Sequence, residues 1–190
     1  LYSMKINLGS GTKRYPDYIN IDNDAGSNPD YVINIEKDKF PFENNSVDEV
    51  IAHHILEHLG EGFFHCMQEL YRVCKHGTII DIRVPHPKHD CFLIDPTHRR
   101  PIYPYTLDMF SKTKNKKYID DESGETPLGF IYDVDFILVD HTFTIDPYWQ
   151  KQFQNFTEEQ CEHAARSFNN VIVEIGIKLL VNKDESISNR

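Results

Sequence analysis

Two short apolar runs that end in turn or acidic residues constrain the fold of this chain more than any other feature. They lie in "KINLGSGTKRYPDYINIDND", residues 5–24, where the first run ends at Gly9-Ser10-Gly11 and the second at Asp22. Short apolar runs bounded by turn residues are typical of buried strands. Too few residues separate the runs for a full helix, so the sequence predicts two strands with an abbreviated connection.

The same pattern continues along the chain. It predicts strands at Met4–Leu8, Tyr18–Ile21, Tyr31–Ile35, Val47–Ala52, Thr78–Val84, Phe130–Phe143 and Asn170–Val181. Apolar residues at helical spacing predict a helix from Phe63 to Cys74, with Gly77 at its carboxyl-terminal cap. Thr157 and Gln160 have the spacing of a capping box and begin a later helix.

The middle of the chain is less regular. A short helix is predicted at Tyr105–Ser111, the basic run Lys112–Lys117 is interpreted as a solvated loop, and the polar segment Asn115–Pro127 as a mobile loop. The order of elements predicts an α/β fold. We expect a Rossmann-like, mostly parallel sheet with an antiparallel final strand, flanked by few helices.

Length and charge limit the classes of function. The chain of 190 residues fits a single domain, 1–190, and its formal net charge of −10 argues against binding duplex nucleic acid. We expect neither a membrane span nor a secretory leader. The four cysteines lack a paired spacing, which favours reduced thiols and a cytoplasmic location. Nothing in the sequence specifies an oligomeric state.

The glycine turn and the acid after the second strand indicate a nucleoside site. Glycine lets a ligand approach the backbone closely, and Asp22 stands where a carboxylate can accept both ribose hydroxyl protons. A plain glycine turn beside a surface aspartate is the alternative interpretation. A dinucleotide site would need a small residue at position 14, which is Arg14, so a nucleoside without phosphates fits better.

Five blocks carry a resemblance to a known family. They are "INLGSG", "YINIDND", "FPFENNSVDEVIAHHILEHL", "ELYRVCKHGTIIDIRVP" and "DPTHRRPI". Their order resembles that of the class I S-adenosylmethionine-dependent methyltransferases, over roughly residues 5–110. The chain departs from this pattern where the first helix is nearly absent and where "VCKHGT" replaces a Pro-Gly-Gly turn.

The resemblance implies a cofactor, S-adenosylmethionine, held by residues 4–85, and acceptor loops within 86–190. It places Gly9, Ser10 and Gly11 beside the amino acid part of the cofactor and Asp22 at the ribose. It also places Asn34 and Ile35 at the adenine, and His53 and His54 along the methionine and sulfonium.

Methyl transfer to a hydroxyl needs a proton acceptor, and imidazole suits neutral pH. The histidines expected near the site are His54, His58, His86, His89 and His98. We favour His98 as the base, with Asp95 as its partner, and keep His54 as a second candidate. The alternative is that Asp95 and His98 only fix the loop. Everything from His86 to Tyr105 is expected to form one wall of the acceptor pocket, because it follows the fifth strand.

The same loop raises the question of a metal ion. It holds His86, His89, Asp90, Cys91, Asp95 and His98 within thirteen positions. That mixture lacks a recognised zinc spacing, so no metal is predicted. The sequence therefore predicts a methyltransferase that acts on a small-molecule or sugar-like hydroxyl. The alternative is a non-catalytic protein that retains the fold and binds S-adenosylmethionine.

Overall fold

The computed structural model describes residues 3–184. Its strands are β1 (Lys5–Leu8), β2 (Ile19–Asp22), β3 (Tyr31–Val32), β4 (Val47–His53), β5 (Cys74–Pro85), β6 (Phe136–Ile145) and β7 (Ile172–Val181). They form one sheet in the order β3-β2-β1-β4-β5-β7-β6. Strands β1 to β5 pair in parallel, and β7 is antiparallel to both of its neighbours. The predicted Rossmann-like sheet with an antiparallel final strand is confirmed.

Short helices surround the sheet. They are α1 (Phe63–Val73), α2 (Asp90–Leu93), α3 (Pro104–Asp108), α4 (Lys112–Asp120), α5 (Leu128–Ile131), α6 (Pro147–Phe153) and α7 (Glu158–Ser167), with 3₁₀ turns at Ala25–Ser27 and Leu56–His58. The capping box of Thr157 and Gln160 begins α7 as predicted. Within the described residues, no helix is long and apolar enough to cross a membrane.

The two faces of the sheet differ. On one face, Ile80, Ile82 and Val84 of β5 are fully buried and belong to the same core cluster as α1. On the other face, Asp81 and Arg83 line a shallow, partly open depression of about 270 Å³. This alternation follows from the two-residue period of a strand, and it leaves one face polar.

The third strand is shorter than predicted. It ends at Val32 instead of Ile35, because the chain turns there. The Asn34 carbonyl accepts hydrogen bonds from the amides of Lys37 and Asp38, at 3.0 and 2.8 Å, which closes that turn.

Gly77 does not cap a helix, contrary to prediction. The last residue of α1 is Val73, and β5 begins at Cys74 without an intervening loop. Gly77 has a φ of +81° and lies within β5, where the register against β4 shifts. Its positive φ accommodates the irregularity in the ladder.

The loop predicted at Lys112–Lys117 is wrong, because residues 112–120 form α4. The loop predicted at Asn115–Pro127 is wrong only as far as residue 120, since residues 121–127 lie outside helices and strands. Ser111 caps this helix, and the buried Asn115 fixes it by donating to the carbonyl of Met109 at 2.8 Å. Polar composition suggested a loop, but Oδ1 of Asn115 also accepts the amide of Phe130 at 3.3 Å, a contact across fifteen residues that the local pattern does not contain.

The predicted strand Phe130–Phe143 begins too early. Residues 128–131 form α5, and β6 starts only at Phe136. Gly129 explains the helix, since a Cβ there would lie 2.6 Å from the carbonyl oxygen of Phe110. The short helix predicted at Tyr105–Ser111 and the strand predicted at Asn170–Val181 are found with shifted bounds, as α3 and β7.

Candidate active site

The turn after β1 depends on Gly9. Its φ is +64°, and a Cβ there would lie 2.4 Å from Cγ1 of Ile55, so only glycine lets the turn pack against that side chain. Next to it, the amide of the buried Ser10 donates to the carbonyl of Ile21 at 2.9 Å, which ties the turn to β2. Gly11 also has a positive φ, +48°, but a Cβ there would meet open space.

The carboxylate of Asp22 lies at the end of β2 and faces this turn. Its Oδ2 accepts the amide of Gly11 at 2.7 Å, and its Oδ1 accepts the amide of Asp24 at 2.9 Å. These two bonds hold the carboxylate in one orientation. Each carboxylate oxygen retains further acceptor capacity, which suits a pair of ribose hydroxyls.

A first cavity of about 120 Å³ opens beside Asp22. Its lining residues are Gly9, Asp22, Asn23, Ile33, Asn34, Ile35, Glu36, Ile55, His58 and Leu59. Oδ1 of Asn34 accepts the amide of Glu36 at 3.0 Å, and its second lone pair remains for an adenine amino group. Four of the predicted cofactor residues thus line one cavity at the carboxyl ends of β1 and β2.

His53 lies elsewhere. Its Nε2 is 3.5 Å from Oδ1 of Asp81, whose side chain lines the depression on the polar face, and burial lowers the pKa of His53. The structure therefore separates His53 from the first cavity, and its role in cofactor binding stays a prediction.

A second cavity of about 370 Å³ lies beyond the ends of β4 and β5. Its lining residues are His54, Glu57, His58, Pro85, Cys91, Asp95, His98, Thr144, Val173 and Glu174. His58 lines both cavities, so they adjoin. The three predicted catalytic residues, His54, Asp95 and His98, all line this second cavity, as does part of the loop after β5.

His54 adopts a left-handed conformation, with a φ of +55°, directly after β4. Such strain in a residue other than glycine is a feature of functional sites. Its Nδ1 lies 3.6 Å from Oε1 of Glu57, and its Nε2 lies 2.9 Å from Oε2 of Glu174. Pairing with Glu57, and then with Glu174, raises the pKa of His54.

The hydrogen bonds of His98 fix which of its nitrogens is free. Nδ1 is 2.9 Å from the carbonyl oxygen of Phe92, which can only accept, so Nδ1 carries a proton. Nε2 of the neutral ring then keeps its lone pair. Asp95 is 3.7 Å from Nε2, which is too long for a hydrogen bond. Phe92, rather than Asp95, therefore orients the His98 ring.

Asp95 acts instead on His58, through Thr97. The Thr97 hydroxyl donates to Oδ1 of Asp95 at 2.6 Å, so it accepts from Nδ1 of His58 at 2.9 Å. His58 therefore also has a protonated Nδ1 and a free Nε2. The bonds from Thr97 lower the pKa of Asp95, which keeps this carboxylate ionised.

Sequence reasoning missed Glu57, Thr97 and the role of Ile55. His58 was expected near the site, but Glu57 was given no functional role, and Gly9 was interpreted only as an approach for the ligand. The available signal was the density of ionisable residues in "HHILEHL", directly after a buried strand.

Comparison with known proteins agrees with this geometry. A family profile described as a methyltransferase domain matches residues 10–81, which include the glycine turn, Asp22, and β4. No curated protein sequence matches the chain.

Solved structures share the fold at low sequence identity. An S-adenosylmethionine-dependent methyltransferase from Archaeoglobus fulgidus has a TM-score of 0.63 and 18% identity, over 94% of this chain and 86% of that one. One from Mesorhizobium loti has a TM-score of 0.53 and 12% identity, over 94% and 91%. A [4+2]-cyclase matches at a TM-score of 0.54 and 12% identity, over 96% and 75%.

The profile match over residues 10–81 and the fold shared with S-adenosylmethionine-dependent methyltransferases describe the chain as methyltransferase-like. The cofactor named in those matched structures is S-adenosylmethionine. The residues around the first cavity fit that cofactor, since they offer a fixed carboxylate for the ribose and apolar and amide groups for a base.

Proposed function

We propose that this protein methylates a hydroxyl group of a small, sugar-like molecule bound in the second cavity. The observation that carries the proposal is the position of this cavity, which adjoins the cavity beside Asp22 at His58. Imidazole and carboxylate groups around it can receive a proton and hydrogen-bond to several hydroxyls. The net charge of −10 favours an acceptor that is not strongly anionic.

Six of the predicted cofactor residues have a stated part in this proposal, and His53 has none. Gly9, Ser10 and Gly11 shape the turn beside the cofactor, and Asp22 binds the ribose. Asn34 and Ile35 contact the adenine.

Bound S-adenosylmethionine supplies a methyl group on a positively charged sulfur. Nε2 of His98, or Nδ1 of His54, would take the proton that the acceptor hydroxyl loses when it receives the methyl group. Nε2 of His54 donates to Glu174 and is not free for this role. Asp95 helps to shape the wall of the cavity through Thr97 and His58. Alignment of oxygen, carbon and sulfur in a closed cavity supplies much of the acceleration.

A methyl-transfer screen tests the proposal. Purified protein is incubated with methyl-labelled cofactor and separate pools of alcohols and sugars, phenols, amines, thiols and carboxylic acids. We expect label in the alcohol and sugar pool, as an alkali-stable methyl ether. Label only in amines or thiols would contradict the hydroxyl assignment.

A matched variant shows that the label depends on the base. His98→Gln is expected to lower kcat by about 10²–10⁴-fold while affinity for S-adenosylhomocysteine stays the same. An unchanged kcat would show that His98 does not take part in the reaction. His76→Gln serves as control, because His76 lies near the opposite end of β5.

A further inference from the structure

Glu57 is the most unusual ionisable residue of the second cavity. Its side chain lines the cavity and is 1% exposed, yet neither carboxylate oxygen has a hydrogen-bond partner in the described part of the chain. The approach of His54, at 3.6 Å, is longer than a hydrogen bond. A buried carboxylate with one long ion pair to His54 and no hydrogen bond is costly, so a fold that keeps one indicates a ligand that compensates its charge.

Two imidazoles complete the surroundings of Glu57. His58 and His98 form an edge-to-face ring pair with centroids 4.6 Å apart. Each donates its Nδ1 proton, to Thr97 and to the carbonyl of Phe92 respectively, and each keeps a lone pair on Nε2. Metal-binding histidines have this arrangement, in which an outer acceptor fixes the tautomer and orients the ring.

The donor atoms of these residues lie close together. One carboxylate oxygen of Glu57 and one nitrogen each of His58 and His98 lie within 4.8 Å of one another. Bonds of about 2.0–2.2 Å to a shared ion require donor atoms that lie up to 4.8 Å apart to move closer together, by rotation of the side chains.

We propose that Glu57, His58 and His98 bind a divalent first-row transition metal ion of the manganese-to-zinc series. Two imidazoles and one carboxylate suit such an ion and leave coordination positions open. The hydrogen bonds from His58 to Thr97 and from Thr97 to Asp95 form the outer shell of this site. The loop cluster considered from the sequence contributes only His98, so spacing in that loop could not reveal the site.

The consequence for chemistry rests on the proposed function. All three residues line the second cavity, so an acceptor hydroxyl bound there would reach the ion and lose its proton more readily. If His98 binds the ion, it takes no proton, which leaves Nδ1 of His54 as the base, because Nε2 of His54 donates to Glu174. The acceptor class narrows to molecules with a hydroxyl that can bind a metal ion, such as vicinal diols or phenols with a neighbouring oxygen.

Metal titration of the full chain tests the site. The protein is freed of metal with a chelator and titrated with Co²⁺, followed by its visible absorption, and with Zn²⁺, followed by calorimetry. We expect one ion per chain. Glu57→Gln and His98→Gln should each weaken binding by at least about tenfold, and His76→Gln should not change it.

Stability provides a second readout. Zn²⁺ should raise the Tm of the wild-type protein and of His76→Gln, but not that of Glu57→Gln or His98→Gln. S-adenosylhomocysteine binding confirms that the variants are folded, and His98→Gln decides the question if Glu57→Gln does not fold.

Two results would overturn the metal site: no stoichiometric binding by the wild-type protein, or equal binding by the folded variants. The titration contains neither cofactor nor acceptor. Failure of methyl transfer therefore leaves the metal result standing, and absence of metal binding leaves the transfer of a methyl group to a hydroxyl untouched.

Discussion

The carboxylate of Asp22 holds the loop after β1 and lines the first cavity, where we propose that it binds the ribose. Its two oxygens accept the amides of Gly11 and Asp24, so the carboxylate is already oriented before a nucleoside binds. A preorganised acceptor loses little entropy on binding, and its bonds to ribose hydroxyls are charge-assisted. Asp22 should therefore contribute strongly to cofactor affinity.

Asp22→Asn tests this contribution. The amide replaces one acceptor oxygen by a donor and removes the charge, and each lost charge-assisted bond is worth about 1.5–3 kcal/mol. Affinity for S-adenosylhomocysteine, measured by calorimetry, should fall at least about tenfold. The control is Asp24→Asn, because Asp24 accepts the amide of Gly26 and is not among the residues that line the first cavity. Equal affinity of Asp22→Asn and the wild-type protein would count against the ribose assignment.

The positive φ of His54 implies backbone strain, which substitution at this position can test. Because its φ is +55°, alanine at this position would keep the unfavourable conformation, whereas glycine would not. His54→Gly should therefore be more stable than His54→Ala by about 1 kcal/mol in urea unfolding. At the neighbouring His53, which is extended in β4, the order should reverse. A lower unfolding free energy for His54→Gly than for His54→Ala would show that the backbone at residue 54 is not strained.

At the scale of elements, sequence patterns predicted the helices and strands whose determinants lie within a few neighbouring residues. The strands β1, β2, β4 and β5 carry continuous apolar or alternating runs, and the capping box of α7 is complete within four residues. The errors lie where distant contacts decide. Asn115 stabilises α4 through Met109, and Gly129 stabilises α5 by fitting against Phe110.

The residues of the candidate site also divide into those that local sequence predicts and those that depend on contacts elsewhere in the fold. Asp22 and the glycine turn were predictable, because they follow directly after strands. Glu57 was not, since the sequence does not reveal that its carboxylate is buried without a partner. The separation of His53 from His54 was also unpredictable, because it depends on the left-handed backbone at His54.

The turn after β1 packs against Ile55, which follows β4, and substitutions at Gly9 and Ile55 test this contact. Gly9→Ala should destabilise the protein by more than about 1 kcal/mol, because the new Cβ collides with Ile55 and the positive φ is strained. Ile55→Ala in the same chain should recover the steric part, which a double-mutant cycle of unfolding free energies measures.

Gly11→Ala is the matched control for that cycle. It has the strain of a positive φ but no collision, so it should show little coupling to Ile55→Ala. Equal coupling at Gly9 and Gly11 would mean that the approach of Ile55 does not require glycine.

At the scale of the whole molecule, one sheet carries both buried apolar residues and ionisable residues that interact with water or ligands. Its buried face supplies the apolar core, and its carboxyl edge carries the turn, the two cavities and most of the site histidines. Burial near this edge stabilises some of these histidines only in their neutral form. The free energy of unfolding should therefore depend on pH, and substitution of single histidines should show which of them cause this dependence.

His86, which follows β5, provides the test. It is 7% exposed, and burial, with the nearby Lys88 and His89, lowers its pKa to about 4. Unfolded histidine has a pKa of about 6.5, so between these values the unfolded chain binds more protons than the folded one. The stability contributed by neutral His86 is therefore present above pH 6.5 and is lost as the pH falls toward 4. We expect a loss of roughly 3 kcal/mol over this window.

A comparison of variants separates His86 from the carboxylates that titrate in the same range. Nδ1 of His86 accepts the amide of Lys88 at 3.2 Å, and His86→Asn offers an oxygen for that bond without a titrating group. Unfolding free energies of His86→Asn should fall less steeply than those of the wild-type protein between pH 6.5 and 4. The exposed His76, changed to Asn, should leave the wild-type slope intact. If His86→Asn and the wild-type protein lose stability in parallel, the burial of a neutral imidazole at this edge does not govern acid unfolding.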